Sequence, residues 1–152
     1  MAWENYTEQQ WADLTAAAPA IAMAVAAASG SAGQTGTELD AFLRLVQDTA
    51  AQQERTTLLG RLASDVSGQL AGGIGPPGED VIADGIHAAR RAGALLTVHP
   101  DEREARAVRQ WLLEVARTVA SAAREGGVFG IGATEVSRAE QETLTSIAEA
   151  VG

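Results

Sequence analysis

The chain has 152 residues and a formal net charge of −9, and it contains no cysteine and no lysine. Its length suits a single domain whose core is stable without cross-links. The absence of cysteine excludes disulfides and thiolate metal sites. The acidic balance argues against nucleic acid as a partner, because a protein that tracks phosphates needs clustered cations.

The first predicted helix begins after Thr7, whose hydroxyl can cap its N-terminus. Apolar residues follow at helical spacing, a pattern typical of a face buried in a core. They are Trp11, Leu14, Ala18, Ile21, Val25 and Ala28. Pro19 lies within this run and should either kink the helix or end it there and divide it in two.

The apolar run over 16–28 is shorter than the roughly 20 residues that a helix needs to span a bilayer. An export signal opens with positive charge, whereas no basic residue precedes Arg44. These features predict a cytoplasmic protein that does not insert stably into a membrane.

A second helix is expected from Thr37, and a break near 53–56 separates it from a shorter third helix. The apolar faces of these two helices consist of Leu39, Phe42, Leu43, Val46, Ala50, Leu58, Leu59, Leu62 and Val66. Residues 68–78 contain five glycines and two consecutive prolines. We therefore predict a loop there, which divides the chain into unequal halves.

A fourth helix with an acidic first turn is expected to end at His99-Pro100. The longest helix is predicted over 101–124, and Ser137 with Glu140 forms a capping box for the last helix. No segment shows the alternation of a strand. The sequence therefore predicts an all-α single domain over 1–152, folded as a bundle of six or seven helices.

Groups that support catalysis are scarce. His87 and His99 are too few for a histidine-based metal centre, and His87 is expected on an exposed helix surface. The glycines of 127–132 follow a predicted helix instead of a strand, so they indicate a turn and not a dinucleotide loop. No strand-to-helix elbow is available to mount a nucleophilic serine. We predict a protein that is not an enzyme and has no cofactor.

Two aromatic residues, Trp3 and Tyr6, precede the first predicted helix. They either pack back over the bundle or dock onto a partner, and packing is the commoner fate of large aromatic side chains. Residues 1–43 contain five acids and no base, whereas 90–124 contain seven arginines. These segments could meet within a subunit or across a dimer. Trp3 and Tyr6 are therefore candidate interaction residues, and we expect a homo-oligomer or a protein partner.

The C-terminal stretch 132–140, with the helix that follows it, resembles the short loop and helix of TerB-like proteins of the tellurite-resistance and stress-response group. The Val-Ser pair of that family and its downstream Glu match Val136-Ser137 and Glu140. Residues 26–31 and 37–46 resemble a second, degenerate copy of the same loop and helix. The resemblance implies a helical, stress-associated protein built from two helix–loop–helix units.

The same resemblance implies a metal site. In that family the loop usually carries Asp-Gly, and carboxylate oxygens suit hard divalent cations. Here Ser29-Gly30 and Ala133-Thr134 stand where that pair would be. Glu135 and Glu140 are the only positions carried over, and they are the candidate metal ligands.

The favoured function is a non-enzymatic interaction protein that acts through protein contacts, as a component of a TerB-like stress response. One alternative is a bundle that binds a small apolar ligand in a cavity beside Ala18, Ala22 and Gly93, with 68–78 as its lid. Those small residues could instead let helices pack closely. The other alternative is a carboxylate protein that binds a divalent metal.

Overall fold

The computed structural model describes residues 2–29, 35–74, 78–125 and 138–152. A 3-10 turn, Ala2–Asn5, precedes the helices. The helices are α1 (Glu8–Ala28), α2 (Thr35–Gln52), α3 (Leu58–Leu70), α4 (Val81–Thr97), α5 (Glu102–Glu125) and α6 (Arg138–Val151). These ranges contain no strand, so the predicted all-α bundle is confirmed.

The first helix, α1, begins where the sequence predicts. The Thr7 hydroxyl accepts a hydrogen bond from the backbone N–H of Gln10 at 3.1 Å, and the Gln10 side chain accepts one from the Thr7 N–H at 2.9 Å. This reciprocal box satisfies N–H groups that lack partners within the helix. Pro19 lies inside α1 without ending it, because the helix continues to Ala28.

The bundle is arranged around α1, which packs most extensively against α4 and also contacts the other helices. Ten of its residues are buried. It is also the one helix in the described ranges that is long and apolar enough to cross a membrane by length and composition. The core helix of a globular protein meets the same criterion, and the burial of α1 fits that role.

Helices α1, α4 and α6 meet through what we call the small-residue seam, formed by Ala20, Ala24, Gly85 and Gly93. A Cβ atom added at Gly85 would overlap the Ala24 Cβ and would lie 2.7 Å from the Ala20 carbonyl oxygen. One added at Gly93 would overlap the Ala150 carbonyl oxygen. The helix backbones therefore approach so closely that only glycine fits at these two points.

α2, α3 and α5 also pack against α1, and we call this part of the bundle the large-residue side. Its core consists mainly of bulky side chains: Phe42, Val46, Leu58, Leu62, Val66, Leu112 and Val115. The Trp111 Nε1–H donates to the Thr49 hydroxyl at 3.0 Å and so joins α5 to α2. In general, bulky side chains between two helices hold their axes further apart than alanine and glycine do.

Predicted boundaries differ from the structure most clearly at α2 and α3. α3 continues to Leu70, so 68–70, predicted as the start of the loop over 68–78, are helical. α2 begins at Thr35, one half-turn before the predicted start at Thr37. Residues 75–77 and Ser137, the predicted cap of the last helix, lie outside the described residues.

Candidate functional site

The two N-terminal aromatic residues lie against the bundle. The Arg61 guanidinium of α3 is 5.1 Å from the centre of the half-buried Trp3 ring, a cation–π geometry. Tyr6 is also half-buried, and its ring stacks on that of His99 with centroids 5.6 Å apart. The packing expected for these residues is confirmed, and their proposed role in binding a partner stays a prediction.

Tyr6 belongs to a cluster with His99 and Glu104. The Tyr6 hydroxyl lies 2.8 Å from the Nδ1 atom of His99. On the other side of the imidazole, Nε2 lies 3.9 Å from the Oε2 atom of Glu104. That oxygen accepts a hydrogen bond from the Leu58 backbone N–H at 2.9 Å. The cluster therefore ties the N-terminal segment, the end of α4 and the starts of α3 and α5 together.

The geometry favours one tautomer of a neutral His99 ring. With the hydrogen on Nε2, no lone pair faces the Glu104 carboxylate 3.9 Å away. Nδ1 is then the acceptor, and Tyr6 donates to it.

Burial raises the pKa of Tyr6 to about 12, with the Glu104 carboxylate adding to the increase and Arg109 opposing it. Nucleophilic or basic tyrosines work through the deprotonated oxygen, which a lowered pKa supplies. This cluster shifts the pKa in the other direction. Tyr6 is thus placed as a neutral hydrogen-bond donor.

A second feature is an open groove on the large-residue side, which we call the α2–α3–α5 groove. It encloses about 480 Å³. Leu45, Leu59, Ala107 and Trp111 form its apolar floor, whereas polar side chains, three glutamines among them, supply most of its accessible surface. Groove walls that combine apolar and polar side chains are typical of sites for ligands or peptide segments.

The only ionisable residues that line this groove are Asp48 and Glu114. Both are exposed, and neither has an ion-pair partner among the residues that the structure describes. α2 ends at the groove with no basic residue in its last turn, so the partial negative charge of its C-terminus adds to theirs. The groove is therefore negatively charged.

The Thr49 hydroxyl in the groove already has two partners. It donates to the Leu45 carbonyl oxygen at 2.8 Å and accepts from Trp111 Nε1–H. No cysteine or histidine lines the groove. Its side chains are suited to bind a molecule through contact and charge.

The predicted metal ligands are not both placed. Glu135 lies outside the described residues, and Glu140 is buried at the start of α6 with 4% of its surface exposed. Among the described residues, no three His, Asp or Glu side chains come together as metal ligands would. The metal site stays a prediction from the resemblance.

The small residues proposed to line an apolar cavity are packed against neighbouring helices. Ala18 and Ala22 are buried in the core. At Gly93, the backbone of α6 occupies the place where a side chain would begin. At this position close helix packing, the other interpretation of the small residues, accounts for the glycine.

Sequence reasoning placed His87 correctly on an exposed surface, but it missed the burial of His99. It also missed the groove. Tyr6 and His99 are 93 positions apart, and the groove is lined by residues of three helices and the α2–α3 connection. Neither assembly has a local spacing pattern that could have revealed it.

Comparison with known proteins found no matching family model, curated protein or solved structure. The resemblance to TerB-like proteins therefore stays a prediction.

Proposed function

We propose that this chain is a non-enzymatic interaction protein whose α2–α3–α5 groove binds a basic segment of a partner protein. The observation that carries the proposal is one open groove that combines an apolar floor with two carboxylates, neither of which has an ion-pair partner among the described residues. An apolar anchor of the partner would fill the floor, and flanking arginines or lysines would face the carboxylates.

The floor supports the proposal because it contains a tryptophan that is already fixed. Trp111 is 3% exposed and hydrogen-bonded to Thr49, so it fixes the floor in place. The half-buried Leu45, Leu59 and Ala107 provide the apolar surface that a partner would contact.

The carboxylates support the choice of a basic partner. Asp48 lies on α2 and Glu114 on α5, so they flank the groove from different helices. The net charge of −9 also attracts cationic segments over longer distances and speeds their encounter. Trp3 and Tyr6, the interaction residues predicted from the sequence, lie against other parts of the bundle.

The test is selection of displayed random peptides, about a dozen residues long, against the folded chain. We expect enriched peptides that carry an apolar residue flanked by basic residues. Their affinity should fall as salt increases, because the charges are exposed and screened. Enrichment of neutral or acidic peptides would contradict the choice of partner.

Two variants locate the binding site. Ala107→Trp fills the groove from α5 and should abolish binding of the selected peptides. Glu114→Gln should weaken binding by up to about fivefold, equivalent to about 1 kcal/mol for an exposed pair. Glu149→Gln is the matched control, since Glu149 is exposed on α6, and it should bind like the parent. Equal binding by the parent and Ala107→Trp would refute the groove as the site.

Native mass spectrometry identifies other occupants of the groove. A dimer lost in Ala107→Trp would assign the groove to a second copy of the chain. A small molecule that binds the parent but not Ala107→Trp would show that the groove binds a small ligand instead of a peptide. Either result would overturn the proposal as stated.

A further inference from the structure

His99 has an unusual environment for a histidine in a structural core. Its side chain is 1% exposed, and within the described residues its Nε2 atom has no hydrogen-bond partner. Most buried polar atoms have a hydrogen-bond partner, so the environment of this Nε2 atom needs an explanation. The nearest acidic group is the Glu104 carboxylate, 3.9 Å away and just beyond hydrogen-bond distance.

The Glu104 oxygen that approaches His99 already has another role. Oε2 accepts a hydrogen bond from the N–H of Leu58, the first residue of α3. That N–H is one of those that a helix cannot satisfy internally. One carboxylate oxygen thus stands between an imidazole and the N-terminus of a helix, and it bonds only to the helix.

Polar and charged groups reach the surroundings of His99 from the N-terminal segment, α3 and α5. The N-terminal segment contributes the neutral Tyr6 hydroxyl. α5 contributes Glu104 together with Arg109, whose guanidinium is held by the Thr97 hydroxyl at 3.0 Å and the Val151 carbonyl at 3.2 Å. α3 contributes the Leu58 N–H and, further along, the Arg61–Asp65 ion pair. Asp101, two residues after His99, accepts bonds from the N–H groups of Arg103 and Glu104.

We propose that His99 is a proton-operated switch that moves the Glu104 carboxylate between the N-terminus of α3 and the imidazole. In the neutral state Tyr6 donates to Nδ1 and Glu104 binds Leu58. A proton from solvent binds Nδ1, and both ring nitrogens become donors. The Tyr6 hydroxyl then rotates to become the acceptor at Nδ1, and the cationic ring draws Glu104 onto its Nε2–H.

The movement has two local consequences. Leu58 loses its side-chain acceptor, so the first turn of α3 becomes less well held. The Tyr6 O–H loses its own acceptor, so the N-terminal segment is held less firmly to the bundle. Leu59, the residue after Leu58, is part of the floor of the α2–α3–α5 groove. The turn that becomes less well held therefore lies at the edge of that groove. The switch does not depend on what the groove binds.

The experiment follows two NMR signals of the full chain between pH 8 and pH 5, the range in which histidines commonly titrate. The His99 ring proton reports protonation, and the Leu58 backbone amide reports the hydrogen bond to Glu104. We expect the Leu58 amide proton to move upfield with the same midpoint as the His99 ring. Its exchange protection should fall by about fivefold, as expected for loss of a hydrogen bond worth about 1 kcal/mol.

His87 provides the matched control, because it is the other histidine of the chain and is exposed. His87→Gln should keep the Leu58 response, whereas His99→Gln and Glu104→Gln should remove it. Glu104→Gln retains an oxygen acceptor for Leu58, so it keeps the structural contact and removes the charge. A Leu58 amide that stays still while His99 titrates would overturn the proposal, as would a His99 ring that does not titrate in this range.

Discussion

The two sides of α1 are built by opposite means. On the small-residue seam, glycine and alanine let the backbones of α1, α4 and α6 touch, and an added methyl group at Gly85 or Gly93 has no room. On the large-residue side, side chains such as Phe42 and Trp111 fill the space between helices. Close backbone contact leaves no surface for a ligand at these two points, whereas bulky residues that separate helices also leave the groove between them.

The largest effect is expected from removing bulk on the large-residue side. Phe42 is fully buried, so Phe42→Ala should lower the free energy of unfolding by about 3–5 kcal/mol through lost burial and a cavity. Urea denaturation followed by circular dichroism measures it. Phe42→Leu retains most of the side-chain volume, so it should lower the free energy of unfolding much less. A small loss for Phe42→Ala would mean that this side is not a tightly packed core.

The next effect comes from adding bulk to the seam. Gly85→Ala places a methyl group against Ala24 and the Ala20 carbonyl, which should lower the free energy of unfolding by about 1–3 kcal/mol. Gly68→Ala is the matched control, because Gly68 lies in α3 with nothing within 4 Å of an added Cβ. It should raise stability by about 0.5–1 kcal/mol through helix propensity. If Gly85→Ala were as stable as the parent or more stable, the seam would not be in close contact.

The smallest effect concerns Tyr6, where the N-terminal segment meets the cluster at the starts of α3 and α5. Its pKa is raised from 10.0 to about 12 in the folded chain, so folding favours the protonated hydroxyl. The stability from this shift is therefore fully present below pH 10 and is lost as the pH rises from 10 to 12. Tyr6 is the only tyrosine, so tyrosinate absorbance should show a midpoint near pH 12.

Tyr6→Phe isolates this contribution. The variant should lose about 1 kcal/mol near neutral pH, because it removes one hydrogen bond. The difference in stability between the parent and the variant should then narrow between pH 10 and 12. A tyrosinate midpoint near 10 in the folded protein would show that Tyr6 is exposed to water.

Local patterns in the sequence predicted the helices well, because caps and apolar spacing act over a few residues. Thr7 starts α1 as expected, and α2 ends at Gln52, beside the predicted break. The sequence alone could not separate two residues of the same type when only their tertiary contacts differ. Gly68 and Gly85 both lie within helices, yet only Gly85 meets another backbone.

The candidate sites were less predictable for the same physical reason. His87 is exposed and His99 is buried. The residues next to each histidine in the sequence do not indicate this difference. The environment of His99 comes from Tyr6, which is distant in the chain, and from Glu104 on the next helix. The groove likewise exists only after α2, α3 and α5 have assembled.

The central position of α1 also matters while the chain is being synthesised. α1 leaves the ribosome before α4, the helix that covers most of it, and α2 and α3 are made in between. During that interval a helix long and apolar enough to cross a bilayer has no partner for its main face. The apolar face of α1 is therefore exposed on the nascent chain until α4 has been synthesised.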